Sequence, residues 1–235
     1  MNWLRFCFSA ACLAMGFTAN AAVVAVFGSN SNADVVAFLN ANGHTGTDYG
    51  SAAPSAAQLA GKDAVIALRA DGNASVQSFV LGGGLLITEW YAAEWALDTA
   101  NLLNADGGAN VFIGTNSPVT HTAAGLALGL GTGLPNPYSD GIRTEFQWTL
   151  SNIGAGADVL ATIGAGVPAI IGGAAGSGYA LINSLDWADE FPAGGGTSGT
   201  WLLNALNINP APEPGTIALL GLGLAGLAAT RRRMQ

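Results

Sequence analysis

Three runs of uncharged, mostly apolar residues in the first hundred positions show no alternation with polar positions. They span residues 23–27, 64–68 and 85–88. A strand covered on one face alternates between apolar and polar residues, whereas a parallel strand covered on both faces is apolar throughout. The three runs therefore predict adjacent core strands of one parallel sheet.

The segments between these runs have the apolar spacing of helices. They predict helices over residues 31–42, 73–80 and 91–103, and a short strand near residues 44–47. Strands that alternate with helices through short joins are typical of a parallel sheet with right-handed crossovers. The first half of the chain therefore predicts an α/β arrangement.

The second half of the chain has a more mixed pattern. Residues 142–150 alternate, and further strands are predicted at 158–163, 168–171 and 178–183, with a last helix over 197–206. Residues 106–140 give no pattern that predicts an element. Together the two halves predict a three-layer α/β domain over residues 22–209, with a mostly parallel central sheet.

The N-terminus has the three parts of a secretory signal peptide. Arg5 supplies the positive charge, residues 6–17 are apolar, and residues 19–21 read Ala-Asn-Ala, the small-x-small form that signal peptidase cleaves. We expect cleavage before Ala22 and loss of residues 1–21. A buried N-terminal helix and a lipoprotein signal at Cys12 are the alternatives, although Cys12 lacks the leucine that usually stands three residues upstream.

Cysteine usage follows from this cleavage. The chain has two cysteines, Cys7 and Cys12, and both lie within the predicted signal peptide. The mature chain would therefore have no disulfide, no thiolate metal site and no cysteine nucleophile.

The C-terminus combines a short motif, an apolar segment and a basic cluster. An apolar run over residues 215–230 follows Pro212, Glu213 and Pro214, and it ends at Arg231, Arg232 and Arg233. A helix of this length spans about 24 Å, slightly less than the roughly 30 Å of a bilayer core. The arginines should stay on the cytoplasmic side. An ordinary tail anchor is the alternative to a sorting signal.

The order of these three parts resembles the PEP-CTERM protein-sorting signal, here over residues 210–235. The resemblance implies recognition by an exosortase, a membrane cysteine protease of Gram-negative bacteria that make extracellular polysaccharide. Pro212, Glu213 and Pro214 match its recognition motif, and Arg231 to Arg233 match its retention charge. We therefore expect an exported protein of the cell surface or extracellular matrix, held in the membrane by this segment before processing.

The charge balance narrows the function classes. Acidic residues outnumber basic ones by 15 to 7, and the formal net charge is -8. A nucleic-acid binder would present a Lys/Arg face, so this class is excluded. Between the two processing signals the basic residues are Lys62, Arg69 and Arg143.

Four segments of the body resemble the class I glutamine-amidotransferase-like fold and its ThuA-like branch. They are the strand at 24–27, LAGKDAVIAL, FVLGGGLLI and PAIIGGAAGSGYALINSLD. The resemblance implies a flavodoxin-like or class I amidotransferase-like sheet. True amidotransferases of this fold place a cysteine nucleophile on a sharp strand-to-helix turn, with a later histidine and glutamate. No cysteine is present in the body, and His44 and His121 fall elsewhere, so the activity does not transfer.

Ligands of open parallel sheets bind beyond the C-terminal ends of the strands. Residues 28–32, 69–72 and 88–95 should converge there, and the acidic, aromatic segment 186–191 should face them. Aromatic faces and carboxylates together are typical of saccharide binding. The predicted ligand-binding residues are Ser29, Asn30, Glu89, Trp90 and Asp186. The alternative is that Trp90, Trp95 and Trp187 are packing residues and the acids solvate their loops.

Two other chemistries are open to the same acids. Glu89 with Glu190 or Asp186 is the pair expected of a glycosidase, and Asp186, Asp189 and Glu190 are an oxygen-rich set for calcium. The sequence nevertheless predicts no metal and no cofactor.

Two function classes remain. The first is a non-enzymatic surface protein whose degenerate amidotransferase-like domain binds extracellular polysaccharide or another partner. The second is an extracellular glycan or ester hydrolase that uses acidic residues. Loss of the nucleophile favours the first.

Overall fold

The structure, a computed structural model, describes residues 21–103, 118–139, 153, 156–164 and 166–208. Its strands are β1 (Val23–Gly28), β2 (Thr45–Asp48), β3 (Ala64–Leu68), β4 (Leu85–Glu89), β5 (Val119–His121), β6 (Asp158–Ile163), β7 (Val167–Ala175) and β8 (Gly178–Asn183). Its α-helices are α1 (Asn32–Ala41), α2 (Ala56–Leu59), α3 (Ala74–Leu81), α4 (Ala92–Glu94), α5 (Ala123–Ala127) and α6 (Gly196–Leu206). A π-helical segment, Trp95–Thr99, continues α4, and a 3-10 segment, Trp187–Ala193, precedes α6.

The eight strands form one sheet in the order β2-β1-β3-β4-β8-β7-β6-β5. Pairing is parallel from β2 to β8 and antiparallel from β8 to β5. The three apolar runs of the first half are the neighbouring strands β1, β3 and β4, as predicted. All side chains of β3 and β4 are buried, since both faces of the sheet are covered.

Alternate residues of the strands belong to two separate cores, one on each face of the sheet. On one face Val26, Ile66 and Ile87 pack with α1, α6 and the 3-10 segment. On the other face Val65 and Leu86 pack with α3, α4 and the π-helical segment. The fold is therefore the predicted three-layer α/β arrangement.

Several boundaries differ from the sequence predictions. The predicted helix over 91–103 is replaced by the short α4 and the π-helical segment, which ends at Thr99. Strand β7 continues to Ala175, beyond the predicted end at residue 171. Helices α2 and α5 and strand β5 were not predicted. The predicted strand over 142–150 lies outside the described residues.

Different residues surround the two ends of the central strands. We call the side where β1, β3 and β4 begin the amino edge and the side where they end the carboxyl edge. At the amino edge the amide of Ala22 donates to Nδ1 of His44 at 3.1 Å, and the amide of Val23 donates to Asp63 at 2.7 Å. Ala22 and Ile208 both line a cleft of about 600 Å³ there. Both ends of the described body therefore lie at the amino edge, about 20 Å from the carboxyl edge at 3.3 Å per strand residue.

No helix within the described ranges has the length and apolarity needed to cross a membrane. The apolar C-terminal run over 215–230 lies outside them.

Candidate functional site

The turns that follow β1, β3 and β4 at the carboxyl edge share an unusual backbone conformation. Ser31, Arg69 and Trp90 all have φ near +50°, a region that residues with a side chain seldom adopt. In each case the backbone turns sharply out of the sheet. Such strain is concentrated at functional sites and must be held by surrounding contacts.

Arg69, which directly follows β3, is the centre of the site. Its Nε lies 3.3 Å from Oε1 of Glu89, and its Nη2 pairs with Asp186 and lies 3.0 Å from Oδ1 of Asp189. Its side chain is 19% exposed, whereas that of Glu89 is fully buried. One guanidinium thus holds carboxyl groups from the end of β4 and from the segment after β8.

Residues of the turn after β1 complete this cluster. Asn30 donates from Nδ2 to Oε1 of Glu89 at 3.3 Å and to Oδ1 of Asp189 at 3.0 Å. Ser29 donates from Oγ to the carbonyl oxygen of Arg69 at 3.2 Å. The three turns are therefore tied to one another through side chains and not only through the sheet.

Trp90 covers the guanidinium. Its ring centroid is 4.1 Å from Cζ of Arg69, a cation–π distance. Trp90 also contacts the aromatic ring of Tyr91, and the two ring centroids are 5.0 Å apart. Tyr91 is 40% exposed. One face of Trp90 is thus occupied by Arg69, and Tyr91 extends the aromatic surface toward solvent.

Burial controls the protonation of Glu89. Desolvation raises the pKa of this carboxyl group well above its ordinary value, the adjacent Asp186 raises it further, and the positive charge of Arg69 only partly opposes them. Oε2 of Glu89 is buried and receives no hydrogen bond. Glu89 is therefore held in its neutral form well above the pH at which a free glutamate ionises.

Asp189 behaves in the opposite way. Partial burial works to raise its pKa, but hydrogen bonding with Asp186 and Asn30 and the charge of Arg69 outweigh that effect, and the pKa lies below its ordinary value. Its side chain is 51% exposed. The site therefore combines a neutral buried carboxyl group with an ionised carboxylate that solvent reaches.

The structure brings all five predicted site residues together. Ser29, Asn30, Glu89, Trp90 and Asp186 each contact Arg69 or one of its carboxylate partners. Whether they bind a ligand stays a prediction.

Two residues of the cluster were absent from the predicted set. Arg69 belongs to a segment that was expected at this edge, and Asp189 belongs to the segment 186–191 that was expected to face it and was also considered as a calcium ligand. The signal that could have identified Arg69 is its isolation, because it and Lys62 are the two basic side chains of the described residues.

The strand order reverses next to β1. In the sheet β2 lies on one side of β1 and β3 on the other, so the reversal falls between β1 and β3. Gly28 lies so close to β3 that a Cβ there would stand against the carbonyl oxygen of Leu68. The gap between β1 and β3 is thus closed by backbone, and Arg69 fills the space above it.

The predicted aromatic cluster divides between core and site. Trp95 and Trp187 are 5% and 1% exposed and belong to the two cores, so for them the packing alternative is confirmed. Trp187 also donates from its indole nitrogen to the carbonyl oxygen of Thr88 at 2.9 Å. Of the three tryptophans with a possible ligand contact, Trp90 alone is partly accessible.

Metal and nucleophile chemistry find little support in the part of the chain that is described. Within it, no three His, Cys, Asp or Glu side chains are grouped so that they could hold a metal ion. The turn from β4 into α4 is the sharp strand-to-helix turn that carries Trp90. His44 lies at the amino edge and His121 in β5, so neither histidine reaches the cluster.

Comparison with known proteins identifies the C-terminal motif and the fold. The PEP-CTERM protein-sorting motif matches residues 210–233. No curated protein matches the chain.

Among solved structures, a cytoplasmic protein from Salmonella typhimurium is 13% identical with a TM-score of 0.60, covering 80% of this chain and 99% of its own. A protein described as a GMP synthase subunit from Thermoplasma acidophilum is 11% identical with a TM-score of 0.55, covering 80% and 93%. An exo-β-1,4-mannosidase from an Opitutaceae bacterium is 14% identical with a TM-score of 0.50, covering 79% of this chain and 36% of its own.

These identities are low enough that the structures establish the fold alone, which is that of class I glutamine amidotransferase-like domains. The C-terminal motif is the more specific finding. It marks an exported protein that an exosortase sorts to the cell surface of a Gram-negative bacterium, with a C-terminus that anchors in the membrane during processing.

Proposed function

We propose that this protein is a non-catalytic saccharide-binding protein of the cell surface or extracellular matrix, with its ligand at the carboxyl edge around Arg69, Trp90 and Tyr91. A processed body of residues 22–209, released from the signal peptide 1–21 and joined to the sorting segment 210–235, carries this site. Binding and catalysis can be tested separately on this body.

The observation that carries the proposal is the residue in the turn after β4. Amidotransferases of this fold carry a cysteine nucleophile on such a sharp turn, and here Trp90 occupies it with φ +53° and stacks on Arg69. A tryptophan ring supplies contact area but no nucleophile. The turn after β4 therefore offers an aromatic binding surface and no nucleophile.

The groups around this turn suit sugar hydroxyls and ring faces. Asn30 and the half-exposed Asp189 offer hydrogen-bonding groups. Tyr91 and the face of Trp90 away from Arg69 offer aromatic contact area. The mannosidase comparison is consistent with this ligand class, since a protein that acts on a glycan contains a domain of the same fold.

The hydrolase alternative is less well supported by the geometry. A glycosidase pair must stand about 5–10 Å apart so that the scissile bond lies between the two carboxyl groups. Glu89 and Asp186 instead contact the same guanidinium and influence each other directly. Both carboxyl groups are therefore paired with Arg69, and neither is presented from the opposite side of a bound sugar.

A glycan array probed with the body of residues 22–209 tests the binding proposal. On the glycan that binds best, Trp90→Ala and Tyr91→Ala should each weaken affinity by about 1 kcal/mol, roughly fivefold. Leu81→Ala is the matched control, because Leu81 is 43% exposed at the amino edge. Unchanged affinity in both aromatic variants would place the site elsewhere.

Turnover on a panel of glycans and esters tests the absence of catalysis. The body should show no activity above that of a Glu89→Ala variant. Activity that the native body has and the variant lacks would establish the hydrolase alternative.

A further inference from the structure

The carboxyl edge is markedly acidic for a saccharide-binding surface. Besides the carboxyl groups around Arg69, the exposed Asp48 ends β2, the exposed Asp71 follows β3, and Glu94 follows β4. Lys62, the other described basic residue, precedes β3, and its ammonium group donates to Oγ1 of Thr47 in β2 at 3.2 Å. Among the described residues the charges at the carboxyl edge are therefore mainly negative, and such a field attracts positively charged ligands.

Arg69 does not change this conclusion, because its positive charge is already paired with carboxyl groups of the protein. Its guanidinium contacts three carboxyl groups, and Trp90 covers its face. An anionic ligand would have to displace Asp186 or Asp189 and leave that carboxylate without its partner. The pair with Asp186 is largely buried and costly to break, and the half-exposed Asp189 would repel an anion, so uronic acids and sulfated sugars are unfavourable ligands.

The carboxyl groups of the cluster differ in their access to solvent. The side chains of Glu89 and Asp186 are 0% and 6% exposed, whereas that of Asp189 is 51% exposed. Asp189, half exposed and shared by Asn30 and Arg69, is the point where a solvent-borne donor first reaches the cluster.

We propose that the ligand is an amino-sugar polymer with free, protonated amines, and that its ammonium groups pair with Asp189 and the acidic surface around it. This inference rests on the proposed saccharide-binding function and narrows its ligand class. An ammonium supplies hydrogen-bond donors and a positive charge in one group. Tyr91 and Trp90 would contact the sugar rings of the polymer next to the ammonium group.

The position of the chain ends favours a polymer that lies beyond the anchoring surface. Ile208, the last described residue before the sorting motif, lies at the amino edge, opposite the acidic cluster. A protein held by its C-terminus therefore presents the carboxyl edge outward. A polymer in the surrounding medium can reach it without crossing the anchor.

Three soluble oligosaccharides of equal length test the proposal by calorimetric titration of the body. They are a β-1,4-glucosamine oligomer, its fully N-acetylated counterpart and a uronic acid oligomer. We expect the glucosamine oligomer to bind at least tenfold more tightly than the acetylated one, and the uronic acid oligomer not to bind. Affinity should fall when salt is raised, since exposed charge pairs are screened, and when the pH rises above the pKa of the sugar amines.

Matched variants separate a site from general attraction between a polycation and an acidic protein. Asp189→Asn should weaken glucosamine binding at least fivefold, whereas Asp158→Asn, the same change at an exposed position at the start of β6, should leave it unchanged. Equal losses in both variants would show non-specific attraction and overturn the proposal.

The failures of the two proposals are distinguishable. Equal or tighter binding of the acetylated oligomer would overturn the amine inference and leave saccharide binding standing. Failure of all three oligomers to bind would overturn the amine inference, and the glycan array would then decide the proposed function by itself.

Discussion

The two edges of the sheet use the same strands for different purposes. At the amino edge, hydrogen bonds from Ala22 and Val23 fix the start of the body, and Ile208 brings its end to the same place. At the carboxyl edge, Arg69 lies in a strained turn with positive φ and contacts three carboxyl groups, one of which, that of Glu89, is fully buried. The hydrogen bonds of Ala22 and Val23 at the amino edge secure the start of the chain. The carboxyl edge retains strain and buried charge, which is the usual distribution of a functional site.

The largest effect should come from the strands that both edges share. Val26→Asp or Ile66→Asp places an unpaired carboxylate in a fully buried position, and such a charge costs more than a domain of this size can lose. We expect no cooperative unfolding transition by circular dichroism. Ala37→Asp, an exposed position in α1, is the control and should still fold. A folded Val26→Asp protein would contradict the assignment of β1 to the core.

Removing the cation at each edge should separate the two edges. Arg69→Met leaves Glu89, Asp186 and Asp189 without their shared partner, which should lower the free energy of unfolding by about 3–5 kcal/mol. Lys62→Met removes a cation whose Nζ has Thr47 as its hydrogen-bond partner, and the loss should stay within about 1 kcal/mol. Urea unfolding at neutral pH measures both. Equal losses would show that the carboxyl-edge cluster is not specially dependent on its arginine.

The protonation of Glu89 should give a smaller, pH-dependent effect. Its pKa is raised in the folded protein, so the unfolded chain releases this proton at lower pH and unfolding becomes more favourable as pH rises above the ordinary glutamate value. Glu89→Gln removes this dependence. The variant should gain stability relative to the native protein between acidic and neutral pH, as measured by unfolding at several pH values.

Asp189→Asn should change stability with the opposite pH dependence in the same experiment. The pKa of Asp189 is lowered, so its contribution is present at neutral pH and is lost as pH falls through that lowered value. The variant should be slightly less stable at neutral pH, and the difference should disappear in acid. If the Glu89→Gln variant became less stable than the native protein as the pH rises, Glu89 would have to be ionised in the fold.

The smallest change to the protein tests the orientation of the two edges. Tyr91→Cys and Leu81→Cys lie at opposite edges and replace side chains that are 40% and 43% exposed. In the isolated body both should react with a bulky maleimide at similar rates. On intact cells Tyr91→Cys should keep its rate and Leu81→Cys should react more slowly, because the anchored tail holds the amino edge toward the surface. Equal slowing of both would contradict an outward-facing carboxyl edge.

Sequence patterns predicted the scaffold well and the site only in part. Uninterrupted apolar runs identified β1, β3 and β4 because burial on both faces leaves no polar position. The helix predicted over 91–103 was wrong in length, since Trp95 packs against Gly72 and the chain forms a π-helical segment there. Helical spacing alone does not contain that contact.

The sequence by itself determined the sorting motif, the apolar strands and the absence of a cysteine in the body, because each is a local pattern or a count. The tertiary structure decided the rest of the site. Arg69 and Asp189 lie far apart in the chain, and only the order β1-β3-β4-β8 brings their turns to one edge. The same packing made Glu89 a buried, neutral acid and placed Trp90 over a guanidinium. Burial and charge pairing depend on neighbours from other strands, and no local pattern specifies them.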